Sequence, residues 1–122
     1  GGKPIKDARI EVSRAISTFT IAAEETLRLD GEQIPMDRQP GNEGRIGLIL
    51  REPIGVIAAI TPFNFPLNLV AHKLAPAFAS GCTVVLKPAS QTPVSSLKLA
   101  EILHAAGLPE GALLLTPCRG SK

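Results

Sequence analysis

Residues 55–90 read GVIAAITPFNFPLNLVAHKLAPAFASGCTVVLKPAS. An apolar run, Val56-Ile57-Ala58-Ala59-Ile60, breaks at a proline-bracketed turn, Thr61-Pro62-Phe63-Asn64-Phe65-Pro66. A helix-length segment then leads to a second apolar run, Thr83-Val84-Val85-Leu86, which ends on Lys87-Pro88. Continuous apolar strands joined through one helix are the pattern of a parallel βαβ unit buried on both faces. Pro66 suits the first turn of that helix, where its missing N–H costs nothing. Gly81 ends it, and Pro76 inside it predicts a kink. Open α/β sheets bind ligands outside the carboxyl ends of their strands. Asn64 and Lys87 therefore fall where a ligand would.

Downstream, Thr92-Pro93 reads as a cap followed by a first-turn proline. Val94, Leu97, Ala100, Leu103 and Ala106 form one face of a second helix that Gly107 closes. Residues 113–116 start a third strand. Strand, helix, strand, helix, strand predicts right-handed crossovers and a doubly wound α/β sheet.

Upstream, residues 7–29 carry Ala8, Val12, Ala15, Ile16, Phe19, Ala22, Ala23 and Leu27 at the spacing of one helical face. Asp7 is the expected N-cap, and Glu11 favours the positive end of the helix. Asp30-Gly31 marks a turn. Residues 32–36 and 45–51 predict two strands of a hairpin-like arm with a polar connection. The second strand has charged ends and is a candidate edge for pairing with another chain, against the alternative of an ordinary hairpin packed on its own domain.

Composition narrows the functional classes. The chain has 122 residues, 44% hydrophobic and 20% charged, with a formal net charge of +2. These values suit one globular domain with a modest core. The basic residues are scattered, and there is neither Trp nor Tyr, so nucleic-acid binding has no support. Every apolar run is far shorter than the roughly 20 residues of a membrane span. Cys82 and Cys118 have neither metal-ligand nor redox spacing, which fits thiols in a reducing compartment and makes the cytoplasm the default location. A third strand followed by so few residues leads us to expect a piece of a longer protein.

Neither G-x-G-x-x-G nor G-x-x-x-x-G-K-[ST] occurs. Asn64 has two readings. Prolines restrict its turn and two Phe side chains can anchor it, so its carboxamide could face a developing oxyanion; equally, Asn commonly bonds local backbone in a turn. Lys87 either reaches ribose or phosphate across the strand ends or snorkels over them. His72 and His104 sit on helices with no partner in reach by sequence. Neither cysteine has a base or cation nearby to lower its pKa.

Over nearly its whole length the chain resembles the aldehyde dehydrogenase superfamily. PFNFP, VVLKPA at its distance from that turn, and GLPEG after the following helix are jointly specific, and ARIEVSRAISTFTIAAEETLRLDGEQIP is similar to the region that precedes them. The texture is nearest the lactaldehyde and non-phosphorylating glyceraldehyde-3-phosphate dehydrogenase branch. The resemblance implies oxidation of a small aldehyde to an acid with NADP or NAD, through a cysteine thiohemiacetal and a thioester. It assigns Asn64 to the oxyanion, Lys87 to the adenosine ribose, the Thr61 carbonyl to the cofactor, and Phe63 to the substrate channel. Ser90 stands where NAD-preferring members often have Glu, so NADP is expected to be accepted. Thr20 stands where phosphate-binding members place Arg, which favours an unphosphorylated aldehyde.

The expected organisation is a long helix of the cofactor domain over residues 1–29, an oligomerisation arm over 30–52, and the first part of a Rossmann-like domain over 53–122, with the catalytic domain absent. Homo-oligomers would form through residues 32–51. The nucleophilic cysteine and general-base glutamate would lie beyond residue 122, so these residues alone are expected to be inactive. The alternative is a non-catalytic module that only binds nucleotide or pairs with a partner strand.

Overall fold

The computed structural model describes residues 2–119. In chain order the elements are α1 (Ile5–Thr26), β1 (Glu32–Pro35), β2 (Ile46–Ile49), β3 (Val56–Ile60), α2 (Asn68–Ala79), β4 (Thr83–Lys87), α3 (Val94–Ala105) and β5 (Leu113–Leu115). Strands β3, β4 and β5 form a parallel sheet in that order, with Ile60 beside Lys87 and Leu86 beside Leu115. Strands β1 and β2 form a separate antiparallel pair. The fold is α/β, a βαβαβ unit preceded by a long helix and a hairpin.

One apolar cluster joins the sheet to its helices: Ala59, Val84 and Leu86 meet Val70, Leu74 and Ala77 of α2 and Leu99 of α3. Both crossover helices therefore lie on one face of the sheet. The three described strands run in sequence order, so the reversal point of a doubly wound sheet does not lie among them. Nor is β3 buried on both faces. Ala59 is buried, whereas Val56 and Ile60 are exposed on the other side.

Two helices differ from the expected faces. On α1 the buried residues are Glu11 and Ala15, while Val12 and Ile16 are exposed. On α3 they are Ser96 and Leu99, while Val94 and Leu97 are exposed. In both cases a polar residue occupies the tightly packed stripe and the neighbouring apolar stripe faces outward. Val12, Ile16, Val94, Leu99 and Ile102 instead line an open groove of about 790 Å³ between α1 and α3.

Helix starts also shift. Pro4, not Asp7, precedes α1, and its carbonyl accepts from the Ala8 N–H at 3.0 Å. Its fixed φ is compatible with helix entry, so no side-chain cap is needed. Pro93 precedes α3, and the Thr92 hydroxyl is buried with no partner among the described residues. Helix α2 runs through Pro76 to its end, where Gly81 adopts φ +74°. Gly31 approaches the hairpin closely: a Cβ there would lie 2.0 Å from the Ile49 carbonyl oxygen. No helix among the described residues is long and apolar enough to cross a membrane.

Glu11 ties α1 to α2. Burial opposes its charge. The bond from Lys3 and the backbone N–H groups of Asn68 and Leu67 outweigh that and hold the carboxyl below its ordinary value. A carboxyl depressed in the folded state contributes stability that is complete above its unfolded value of 4.5 and is lost as pH falls through the lower folded value. Thermal melting followed from pH 7 down to pH 3 should thus show a Glu11-dependent loss beginning below about pH 4.5, and the Glu11→Gln variant should lack that component. A core truncation gives an independent check on packing: Leu74, with no solvent exposure, should cost about 2–5 kcal/mol in denaturant unfolding as Leu74→Ala.

Candidate functional site

The carboxyl edge of the parallel sheet is assembled from three strand ends. The Thr61 N–H donates to the Lys87 carbonyl at 3.2 Å, carrying the β3–β4 ladder one residue past β3. On the other side, the Thr116 N–H and hydroxyl both donate to the Leu86 carbonyl, at 2.8 and 3.2 Å. Thr61 is buried, and Pro88 immediately after Lys87 is fully buried. The polypeptide thus leaves β3 and β4 from fixed points.

Between Thr61 and α2 the chain turns outward. Phe63, Asn64 and Phe65 are exposed. The Phe65 carbonyl accepts from the Leu69 N–H at 3.1 Å, so the helical bonding begins there. Pro66 has no N–H to satisfy. The next two N–H groups, of Leu67 and Asn68, donate to Glu11 Oε1 at 2.8 and 3.0 Å. Two of the orphan donors of this helix start are thereby satisfied by a side chain of α1. Lys3 pairs with the second oxygen of Glu11, and its ammonium sits 4.1 Å from the centroid of the Phe65 ring.

Each residue singled out from the sequence can now be located. Thr61 and Lys87 are brought together by the ladder. Lys87 is half-buried, and no ion pair involves it among the described residues. Asn64 lies at the exposed centre of the turn, and its carboxamide makes no hydrogen bond to any described residue. Ser90 lies beyond β4 in the turn closed by the Thr92 N–H on the Ala89 carbonyl, 3.1 Å; it too is exposed and unbonded through its hydroxyl. No hydrogen bond joins Phe63, Asn64 or Ser90 to one another. Thr20 is exposed, and its hydroxyl donates to the Ile16 carbonyl at 3.0 Å.

The electrostatics of this edge are one-sided. From residue 53 to residue 100 there is no Asp or Glu, whereas Lys73, Lys87 and Lys98 are present. Lys98 is paired with Glu101 on the exposed face of α3. Lys87 at the strand ends, Ser90 three residues beyond it and Asn64 in the turn after the neighbouring strand are uncommitted donors on a stretch of chain without a carboxylate. That donor set suits a dinucleotide.

Lys3 and Thr116 escaped the reading of the sequence, and Glu11 was assigned there to the positive end of its own helix rather than to the start of α2. The signal for Glu11 was present: Ala8, Glu11 and Ala15 share one buried stripe, and a carboxylate on such a stripe needs a partner. Cys82 belongs to the apolar cluster. Its thiol lies 3.6 Å from the Ser80 hydroxyl. That bond lowers the thiol's pKa against the opposing effect of burial, and the backbone of Gly55 and Ile54 adds to it. The groups responsible are a hydroxyl and backbone, neither a base nor a cation. Cys118 is exposed beyond β5. His104 is exposed. His72 is exposed on α2 and lines a groove of about 520 Å³ with Arg14, Ser13 and Asn68. No cluster of three or more metal-ligating side chains occurs among the described residues.

A match to the aldehyde dehydrogenase family runs over residues 1–122. The chain belongs to that family. A 3-sulfolactaldehyde dehydrogenase of Priestia aryabhattai is 54% identical over 112 residues, which are 92% of this chain and 24% of that protein. Among solved aldehyde dehydrogenases, number 21 from Physcomitrella patens, in complex with the reaction product succinate, superposes with a TM-score of 0.92 at 56% identity. It is matched over 97% of this chain and 25% of its own. The NADP-dependent glyceraldehyde-3-phosphate dehydrogenase of Bacillus halodurans C-125, complexed with NADP, gives 0.91 at 47% identity, over 97% of this chain and 25% of that one. The chain thus spans about a quarter of the length of these aldehyde dehydrogenases.

Proposed function

We propose that these residues form the opening part of an NAD(P)-dependent aldehyde dehydrogenase of the relatives' length, which oxidises a small aldehyde to its carboxylic acid. The observation that carries this reading is the state of Asn64: a carboxamide on a turn pinned at both ends, exposed at the carboxyl edge of the sheet and bonded to none of the described residues. A local turn role would spend the amide on nearby backbone. Left unspent on a fixed turn, it is available to an oxygen that gains charge in the transition state.

In this reading Lys87 and Ser90 hold the adenosine half of the cofactor, the Thr61 backbone borders it, and Phe63 lines the substrate channel. NAD(P)⁺, when bound, supplies the electron acceptor for the oxidation. Residues 1–29 and 53–122 belong to the cofactor domain, and residues 30–52 serve as the arm through which copies associate. The exposed apolar side chains of β2, Ile46, Leu48 and Ile49, support that last role. The neutral Thr20, its hydroxyl already committed, favours an unphosphorylated aldehyde, as the similarity to a sulfolactaldehyde dehydrogenase also does. With Cys82 packed in the core, the nucleophile is supplied from outside these residues, and they turn over no substrate alone.

Two measurements on the full-length enzyme test the reading. Asn64→Ala should lower kcat about 10²–10³-fold, equivalent to about 2.7–4 kcal/mol of transition-state stabilisation, with little change in cofactor affinity; an unchanged kcat overturns the oxyanion assignment. Ser90→Glu places a carboxylate where a 2′-phosphate would lie. It should cut the ratio of kcat/KM for NADP over NAD by about tenfold or more through like-charge repulsion, whereas an unaltered ratio removes Ser90 from the cofactor site.

A further inference from the structure

We infer that Glu11 is a positioning residue for Asn64, and that α1 thereby acts on the reaction without touching substrate or cofactor. The inference rests on the oxyanion reading of Asn64 given above. Among the described residues, Glu11 is the only side chain that hydrogen-bonds any backbone group between residues 62 and 68. One carboxylate oxygen takes the Leu67 and Asn68 N–H groups, at 2.8 and 3.0 Å, and the other takes Lys3, whose ammonium lies against the Phe65 ring. Glu11 thus fixes the turn on the helical side of Asn64, directly through the backbone and indirectly through Phe65.

The strand side is fixed separately, by the Thr61 N–H on the Lys87 carbonyl. Pro62 and Pro66 remove two N–H groups and two φ freedoms from the span between these anchors. The direction of the Asn64 carboxamide then depends on where α2 begins relative to β3, and Glu11 is the one side chain hydrogen-bonded to that helix start among the described residues. Without the carboxylate two buried N–H groups lose their acceptor, and the helix start is free to move toward water. A displacement of about 1 Å in a group that must meet a reacting atom can cost on the order of 10²-fold in rate.

A double-mutant cycle in the full-length enzyme tests this. Glu11→Ala should lower kcat about tenfold or more, with KM for the aldehyde and the dissociation constant of NADP changed less than about twofold. Glu11→Gln keeps a carbonyl oxygen for the two N–H groups and should recover kcat to within about threefold of the native value. In the Asn64→Ala background both substitutions should change kcat less than about twofold, since there is no carboxamide left to misplace. Equal losses with and without Asn64 overturn the positioning role while leaving the oxyanion reading intact. An unchanged kcat in Asn64→Ala alone overturns the oxyanion reading, and the positioning role falls with it. Where Glu11→Ala yields no folded enzyme, Glu11→Asp, which keeps the charge but draws the oxygen back from the two N–H groups, takes its place in the cycle under the same criterion.

Discussion

A single carboxylate, 4% exposed, joins the first helix of the chain to the second. Moving such a charge out of water is costly, by several kcal/mol even after relaxation, unless its oxygens are fully engaged. Here one oxygen accepts from two backbone N–H groups at a helix start, where the peptide dipoles also favour negative charge, and the other meets a lysine. The arrangement is directional where hydrophobic contact is not. Apolar packing between α1 and α2 would tolerate a range of offsets, but two N–H groups aimed at one oxygen tolerate few. The turn between β3 and α2 inherits that restriction, because its far end is the helix start Glu11 holds.

The same pair of helices shows why pattern alone places an element better than it orients one. The parallel unit was legible in residues 55–90: β4 is observed at Thr83–Lys87 as read, and Gly81 closes α2 in the left-handed conformation that glycine permits. The faces of α1 and α3 were not legible. Each has two adjacent stripes that could be buried, and hydrophobicity chose the stripe with Val12 and Ile16, or with Val94 and Leu97. Packing chose the stripes with Glu11 and Ser96. A charged residue with three donors waiting is better buried than exposed, yet those donors lie 56 and 57 positions away in the chain or belong to Lys3. No local pattern reports them. Strand order is likewise a non-local property that the alternation of strands and helices leaves open.

For the candidate site, motif and geometry contribute different things. The spacing of PFNFP and VVLKPA carried the family resemblance, and the match over all 122 residues bears it out. Spacing could not separate a turn asparagine from a free one. The structure bears on that distinction through the absence of any intramolecular bond to the Asn64 amide among the described residues, on an exposed turn held at its two ends by the Thr61 N–H on Lys87 and by the Leu67 and Asn68 N–H groups on Glu11. Exposed apolar surface has a parallel explanation. Val56 and Ile60 on the open face of β3, and the groove between α1 and α3, leave parallel-sheet and helix surfaces that this architecture ordinarily covers. Relatives about four times as long have the chain with which to cover them.

What the edge offers chemically is uniform: an amide N–H₂, an ammonium and a hydroxyl, each uncommitted, with no carboxylate from residue 53 to residue 100. Donors of this kind stabilise charge that arises elsewhere; they neither attack a carbonyl nor remove a proton. Cys82 does not alter that balance, because its thiol is packed among Leu74, Val84 and their neighbours and is bonded to Ser80, away from the carboxyl ends of the strands. A proton acceptor placed beside Lys87 would pair with it and withdraw the cation at the end of β4. The stretch of chain that forms this edge carries no acid, and Glu11, which reaches it from α1, is buried at a helix start and paired with a lysine. The negative charge is used to hold the turn, and the positive charge is left facing outward.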